Sequence, residues 1–204
     1  MPKVSVILPV YNNVRELPRA MNSLLHQDFS DFEVLAVDDG ATDGSGELLD
    51  RFAEEDARVR VFHCPHKGIA EAMNHAIEHA QGQYFARQDA DDVSAFTRFS
   101  RQIAYLDRHP ETIVCGSWTR VVQTVFDRQY CWEPPDDHDK LVKLLKAGGV
   151  SFIHGSVMIN RALFEREGGG YRGGPAEDFD MWLRLSQHGR LGVVESVEYY
   201  YFPL

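Results

Sequence analysis

The chain has 204 residues, 44% hydrophobic and 25% charged, a composition suited to one globular domain with a sizeable core. With 31 Asp and Glu against 21 Lys and Arg, the formal net charge is -10, which opposes broad binding to phosphate backbones and disfavours a nucleic-acid partner. No run approaches the roughly 18 apolar residues of a membrane span, and Cys64, Cys115 and Cys131 include no C-x-x-C pair, so a reducing cytosol is expected and neither a disulfide framework nor a zinc ribbon.

Met1-Pro2-Lys3 leads directly into an apolar run too short for a secretory signal. Within that run Val4-Ser5-Val6-Ile7-Leu8, closed by Pro9, reads as a strand buried on both faces. Leu17, Ala20, Met21, Leu24 and Leu25 then recur with helical spacing, and Pro18 stands near the helix start, where its missing N–H costs nothing. Residues 32–37 give a second strand, closed by the turn-rich loop 38–46; Leu48, Leu49, Phe52 and Ala53 open a second helix, and residues 59–62 supply a third strand. Ile69, Ala72, Met73, Ala76, Ile77 and Ala80 fill one stripe of a third helix, with Gly82 expected as its left-handed stop. Tyr84-Phe85-Ala86 begins a fourth strand that ends at Asp89-Ala90-Asp91-Asp92.

This alternation predicts an α/β chain with a mostly parallel central sheet flanked by helices. Beyond residue 112 the rhythm loosens, with strand-like residues 112–115 and 119–126, a break at Pro134-Pro135, a helix over 141–147 and a strand over 153–159. A turn at Gly168-Gly169-Gly170 precedes a last helix with Phe179, Trp182 and Leu183 expected on its inner face. There is no internal repeat or low-complexity linker, so 1–204 reads as a single domain.

Ligands of open α/β sheets bind outside the carboxyl ends of the strands. Strand one delivers Pro9-Val10-Tyr11-Asn12 there, strand two Asp38 and Asp39, and strand four Asp89, Asp91 and Asp92. On extended backbone Asp89 and Asp91 would point to the same side, and two converging carboxylates repel unless a cation neutralises them, for which Mg²⁺ or Mn²⁺ is the natural partner. Taken singly, each of these is a turn or capping residue; together at one edge they suggest a nucleotide site, with Tyr11 stacking on a base and an acidic group accepting its hydrogen bond.

The segments Val4-Ser5-Val6-Ile7-Leu8-Pro9-Val10-Tyr11-Asn12, Val37-Asp38-Asp39-Gly40-Ala41-Thr42-Asp43-Gly44-Ser45, Gly68 with Asn74, Asp89-Ala90-Asp91-Asp92 and Glu177-Asp178-Phe179-Asp180-Met181-Trp182-Leu183-Arg184 resemble, in order and spacing, the motifs of family 2 glycosyltransferases. The resemblance covers nearly the whole chain and implies a single glycosyltransferase domain, with residues 1–111 as its nucleotide-sugar-binding half and 112–204 as the half that carries the acceptor site and the catalytic base. It implies the glycosyltransferase A fold, a nucleotide-sugar donor (most often UDP-linked), a Mn²⁺ or Mg²⁺ ion, and inverting transfer to a glycan or lipid-linked acceptor in bacterial-type surface polysaccharide synthesis. By the same resemblance Pro9, Tyr11, Asp38, Asp39, Gly68, Asn74, Ala90 and Glu177 fall in the donor site. Asp89 would hold the ribose or the metal, Asp91 the metal and diphosphate, Asp92 would be the alternative ligand, and His154 would reach the diphosphate or the metal. Asp178 would be the catalytic base, at a helix start whose dipole favours an ionised carboxylate. Such an enzyme would be cytoplasmic, with association at the inner membrane face and the oligomeric state left open.

Departures from the pattern are Ala41, where the family usually has Ser, and Gln187-His188-Gly189-Arg190-Leu191, which lacks the Trp of the processive Q-x-x-R-W motif and implies one sugar per encounter. Two other readings are weighed. His75-Ala76-Ile77-Glu78-His79 matches the H-x-x-E-H pattern of a zinc metallohydrolase, but no obvious third ligand follows, and a solvated helix face is preferred. A nucleotidyltransferase would share the acidic metal ligands but needs a basic triphosphate grip, and no P-loop is present.

Overall fold

The computed structural model describes residues 1–166, 169–174 and 176–203. Strands β1 (Val4–Val10), β2 (Phe32–Asp38), β3 (Val59–His63) and β4 (Tyr84–Arg87) alternate with helices α1 (Leu17–Leu25), α2 (Ser45–Glu55) and α3 (Ile69–His79). After them come β5 (Val93–Ser94), α4 (Arg98–Arg108), β6 (Thr112–Gln123), β7 (Arg128–Trp132), α5 (His138–Lys146), β8 (Met158–Asn160), α6 (Arg161–Arg166), α7 (Glu177–Leu185) and β9 (Arg190–Tyr201). The strands form one sheet in the order β3-β2-β1-β4-β8-β6-β9-β5, with β7 paired to β6. β1 is parallel to β2 and β4, and β2 to β3, while β8 runs antiparallel between β4 and β6 and β9 is again parallel to β6.

Alternation along the buried strands sorts the core into two layers. Val4, Val6, Leu8 and Val10 of β1 and Val34 and Ala36 of β2 pack with Leu17, Met21 and Leu24 of α1, Leu49 of α2 and Phe99, Ile103 and Leu106 of α4. Ile7, Leu35 and Val37 face the other way, onto Met73 and Ala76 of α3 and toward Leu141, Phe164 and Trp182. A strand covered on both faces reads as a continuous apolar run for this reason, and each fully buried Leu or Val contributes roughly 1.5–3 kcal/mol.

Several local expectations are corrected. Residues 112–115 and 119–126 are a single bulged strand that ends at Gln123 in a 3-10 turn. The strand expected over 153–159 is a 3-10 turn, His154–Ser156, followed by short β8, and the helix expected over 141–147 starts earlier, at His138, where the Asp137 side chain accepts the Lys140 N–H. On α7 the buried residues are Met181, Trp182 and Leu185, while Phe179 and Leu183 are only partly buried. Ile69, placed in the core stripe of α3, is 42% exposed. Gly82 does not cap α3 with a left-handed residue: it lies against β1, where an added Cβ would come within 2.5 Å of the Ser5 nitrogen, and its N–H donates to Ser5 Oγ at 2.8 Å. Of the expected turn at 168–170, Gly168 lies outside the described residues. Gln187 to Leu191 runs into the amino-terminal end of β9, and the strand directions place that end opposite the edge where β1, β2 and β4 finish. Among the described residues no helix is long and apolar enough to cross a membrane.

Candidate active site

The carboxyl ends of β1, β2 and β4 open onto two adjoining clefts. One, of 340 Å³, is lined by residues that include Pro9, Tyr11, Asp39, His66, Gly68 and Ala90. The other, of 660 Å³, is lined by residues that include Arg87, His154, Asp178, Tyr201 and Phe202. Ile69, Asp89 and Asp91 line both, so the two form one continuous surface.

In the first cleft the Tyr11 ring stacks on His66, with centroids 4.1 Å apart and planes 20° from parallel. Behind this pair Asp39 is almost fully buried; it accepts the Lys67 N–H at Oδ1 (2.8 Å) and the Gly68 N–H at Oδ2 (2.9 Å), with His66 Nδ1 also 2.8 Å from Oδ2. Gly68 makes this possible with φ +94°, a conformation that side chains resist. Each carboxylate oxygen retains capacity to accept a further hydrogen bond.

Asp38, the neighbour of Asp39, does not line either cleft. Its Oδ1 accepts the Ala41 N–H (2.8 Å) and its Oδ2 pairs with His63 Nδ1 (2.9 Å), whose Nε2 reaches Asp50 on α2 (2.9 Å). Asn74 is likewise occupied: it holds both the N–H and the carbonyl of Tyr171 at 2.8 Å, fastening the glycine-rich segment to α3.

Asp89, Ala90, Asp91 and Asp92 were expected at the end of an extended strand, but β4 ends at Arg87 and they form a turn closed by the Asp92 N–H on the Asp89 carbonyl (3.3 Å). Asp89 forms an ion pair with buried Arg87 Nη1, and its N–H donates to the Tyr199 hydroxyl. Burial and, after it, the adjacent Asp89 raise the Asp91 pKa, and no salt bridge relieves it among the described residues. Asp92 is fully buried away from the cleft, accepts the Phe202 N–H at 2.8 Å, and is pushed up to about 7 by burial and by Asp89.

Asp178, in the first turn of α7, lines the second cleft, and its Oδ1 accepts the Phe179 N–H at 2.8 Å. His154 is held between Tyr171, whose hydroxyl lies 2.9 Å from Nε2, and Glu177, 3.9 Å from Nδ1, and burial together with Arg87 keeps its pKa well below the usual value.

Sequence reasoning missed the supports of this site. Arg98 is fully buried and has no carboxylate partner among the described residues: it donates to the Gln102, Gln88 and Ser94 side chains and to the Arg87 and Val157 carbonyls, and burial lowers its pKa to about 10. Gln102 donates to the Cys115 and Ser156 carbonyls, so one pair of side chains on α4 ties the acidic turn to β6 and to the turn after His154. Arg19 donates to the Asp91 carbonyl at 2.5 Å and stacks on Phe202. The polar Arg87-Gln88 pair that ends an apolar strand just before the acidic turn was the available signal.

The chain matches the model described as "Glycosyl transferase family 2" over residues 5–168. It is 34% identical over 197 residues to EpsE of Bacillus subtilis (strain 168), covering 94% of this chain and 69% of that protein. Among solved structures it resembles S. aureus TarS 1-349 in complex with UDP-GlcNAc (TM-score 0.81, 22% identity, 99% of this chain and 59% of that one). It also resembles the mannosyltransferase PcManGT from Pyrobaculum calidifontis in complex with GDP-Man and Mn2+ (TM-score 0.75, 21% identity, 98% and 56%). The chain thus spans less than two thirds of both of these solved chains.

Proposed function

The chain belongs to glycosyl transferase family 2, and from that premise we propose that it moves a sugar from a nucleoside-diphosphate donor, UDP-linked in the simplest case, to a hydroxyl of a glycan or lipid-linked acceptor in surface polysaccharide synthesis, with inversion at the anomeric carbon. Residues 1–111 supply the donor side and residues 112–204 the acceptor side. The observation that carries this reading is the single cleft gathering Asp89, Asp91 and Asp178.

The Tyr11–His66 pair offers an aromatic face to the base, and Asp39 accepts a hydrogen bond from its edge. Asp89, oriented by Arg87, faces the ribose or the cation. The raised pKa of Asp91 fits a divalent cation, Mn²⁺ or Mg²⁺, held chiefly by that carboxylate and neutralising the diphosphate when bound. Asp38 and Asp92 shape the loops around the donor, and neutral His154 with Glu177 buttresses the start of α7. Asp178 takes the proton of the acceptor hydroxyl as its oxygen bonds to the anomeric carbon from the face opposite the departing diphosphate. The first turn of α7 positions it for that role on the wall of the cleft that also holds Asp89 and Asp91.

The test is thermal stabilisation by UDP-, GDP- and dTDP-sugars with and without Mn²⁺. One nucleotide class should raise the unfolding midpoint only with the cation, and Asp91→Asn should abolish the effect. Equal stabilisation in a chelator, or none by any sugar nucleotide, would overturn the reading.

A further inference from the structure

The motif His75-Ala76-Ile77-Glu78-His79 closes α3 and has no part in the proposed transfer. We propose that His75, Glu78 and His79 form a second cation site, on the outer face of α3, that takes a transition-metal ion of the Zn²⁺ or Ni²⁺ class and is separate from the cation proposed at Asp91.

The spacing i, i+3, i+4 places three donors on one patch of helix surface, and one ligand atom from each lies within 4.8 Å of the others. Metal–ligand distances of roughly 2.0–2.2 Å would draw these atoms to roughly 3–3.5 Å from one another, a closure achieved by rotating side chains, Glu78 being exposed. The imidazoles are already arranged for it. Phe62 of β3 meets His75 edge-on at 5.2 Å and His79 at 4.6 Å, and the two imidazole centroids are 4.6 Å apart.

A backbone contact settles which nitrogen of His79 is available. Its Nδ1 lies 2.9 Å from the His75 carbonyl, and because a carbonyl only accepts, Nδ1 must carry the proton. The lone pair is then on Nε2, and a ring N–H fixed on a carbonyl is the support that metal-binding histidines commonly have. The last turn of a helix also presents the negative end of its dipole to a cation. Arg60, whose guanidinium reaches the His79 carbonyl at 3.2 Å, has its charge paired with Glu33 at 2.8 Å.

Two imidazoles and one carboxylate select borderline ions over Mg²⁺ or Mn²⁺, and water would complete the coordination. His75 and Glu78 also line a 240 Å³ pocket together with Asp39 and Lys67. A cation here would clip the end of the helix whose first turn adjoins the Asp39 contacts, without entering the Asp89–Asp178 cleft.

The experiment titrates the full chain with Zn²⁺ against a chromophoric chelator, in excess Mg²⁺. One zinc per chain is expected, with affinity lowered at least tenfold in His75→Gln and in His79→Gln, lowered in Glu78→Gln, and unchanged in Asp91→Asn. Zinc should raise the thermal midpoint of the wild type but not of His79→Gln, whose metal-free midpoint should match the wild type and so certify its fold. Absence of stoichiometric zinc, or zinc lost in Asp91→Asn and kept in His79→Gln, would overturn the proposal. The readout is zinc binding, so it stands or falls independently of sugar transfer.

Discussion

Arg87 and Asp178 set opposite charges on the wall of one cleft, and each supports a separate prediction. Arg87 is 2% exposed; its Nη1 meets Asp89, and its Nε has no hydrogen-bond partner among the described residues. Removing the guanidinium takes away the charged partner of Asp89, so Arg87→Met should cost roughly 3 kcal/mol in urea unfolding. A loss below about 0.5 kcal/mol would mean that cleft water already solvates Asp89. Asp178→Asn preserves the shape of the side chain but accepts no proton, so donor affinity should stay within about twofold while kcat falls roughly 10²–10⁴-fold. A wild-type kcat would remove its role as base. At this scale Asp39, Asp89, Asp91 and Asp178 were legible because acidic residues at strand and helix ends leave a pattern in the chain. Arg98 and His66 were not, because much of what holds them comes from distant segments, the Arg87 and Val157 carbonyls for the one and the Asp39 carboxylate and Tyr11 ring for the other, and Arg87 reads only as a polar strand end until the fold buries it beside Asp89.

Elements are joined around the site by side chains that the hydrophobic pattern does not reveal. His63, the last residue of β3, links Asp38 at the end of β2 to Asp50 on α2. Its pKa is raised by hydrogen bonds to Asp38 and then Asp50. A raised folded-state pKa means stabilisation that is fully present below the unfolded value near 6.5 and is lost as pH rises through the folded value. Without metal or nucleotide, the wild type should therefore lose stability relative to His63→Gln as the pH is raised from about 6.5. The difference should stay under about 1 kcal/mol, because the imidazole is half exposed. Urea midpoints measured across that range check it, and parallel curves for the two proteins would contradict it. The first three helices were legible from their periodicity, whereas α4 was missed: its apolar Phe99, Ile103 and Leu106 are interleaved with arginines and with Gln102, whose burial only the fold explains.

Across the whole molecule one sheet runs from β3 in the first half to β9 in the second, with β8 hydrogen-bonded to both β4 and β6. Such continuity predicts one cooperative unfolding unit. Trp118, Trp132 and Trp182 all lie beyond residue 111, so tryptophan fluorescence reports the second half while far-ultraviolet circular dichroism reports the whole chain. The two denaturation curves should coincide; a fluorescence midpoint displaced from the dichroism midpoint would show the halves unfolding separately. The sequence by itself determined the α/β alternation, the two-faced burial of the central strands and the order of the motifs, since these follow from local periodicity and turn chemistry. Only the tertiary structure decided which carboxylates face the cleft. Asp89 and Asp91 do, while Asp38 is turned onto His63 and Asp92 onto the backbone of Phe202, 110 residues away. The direction of a side chain in a turn depends on which distant donor meets it, and that donor arrives only when the sheet closes.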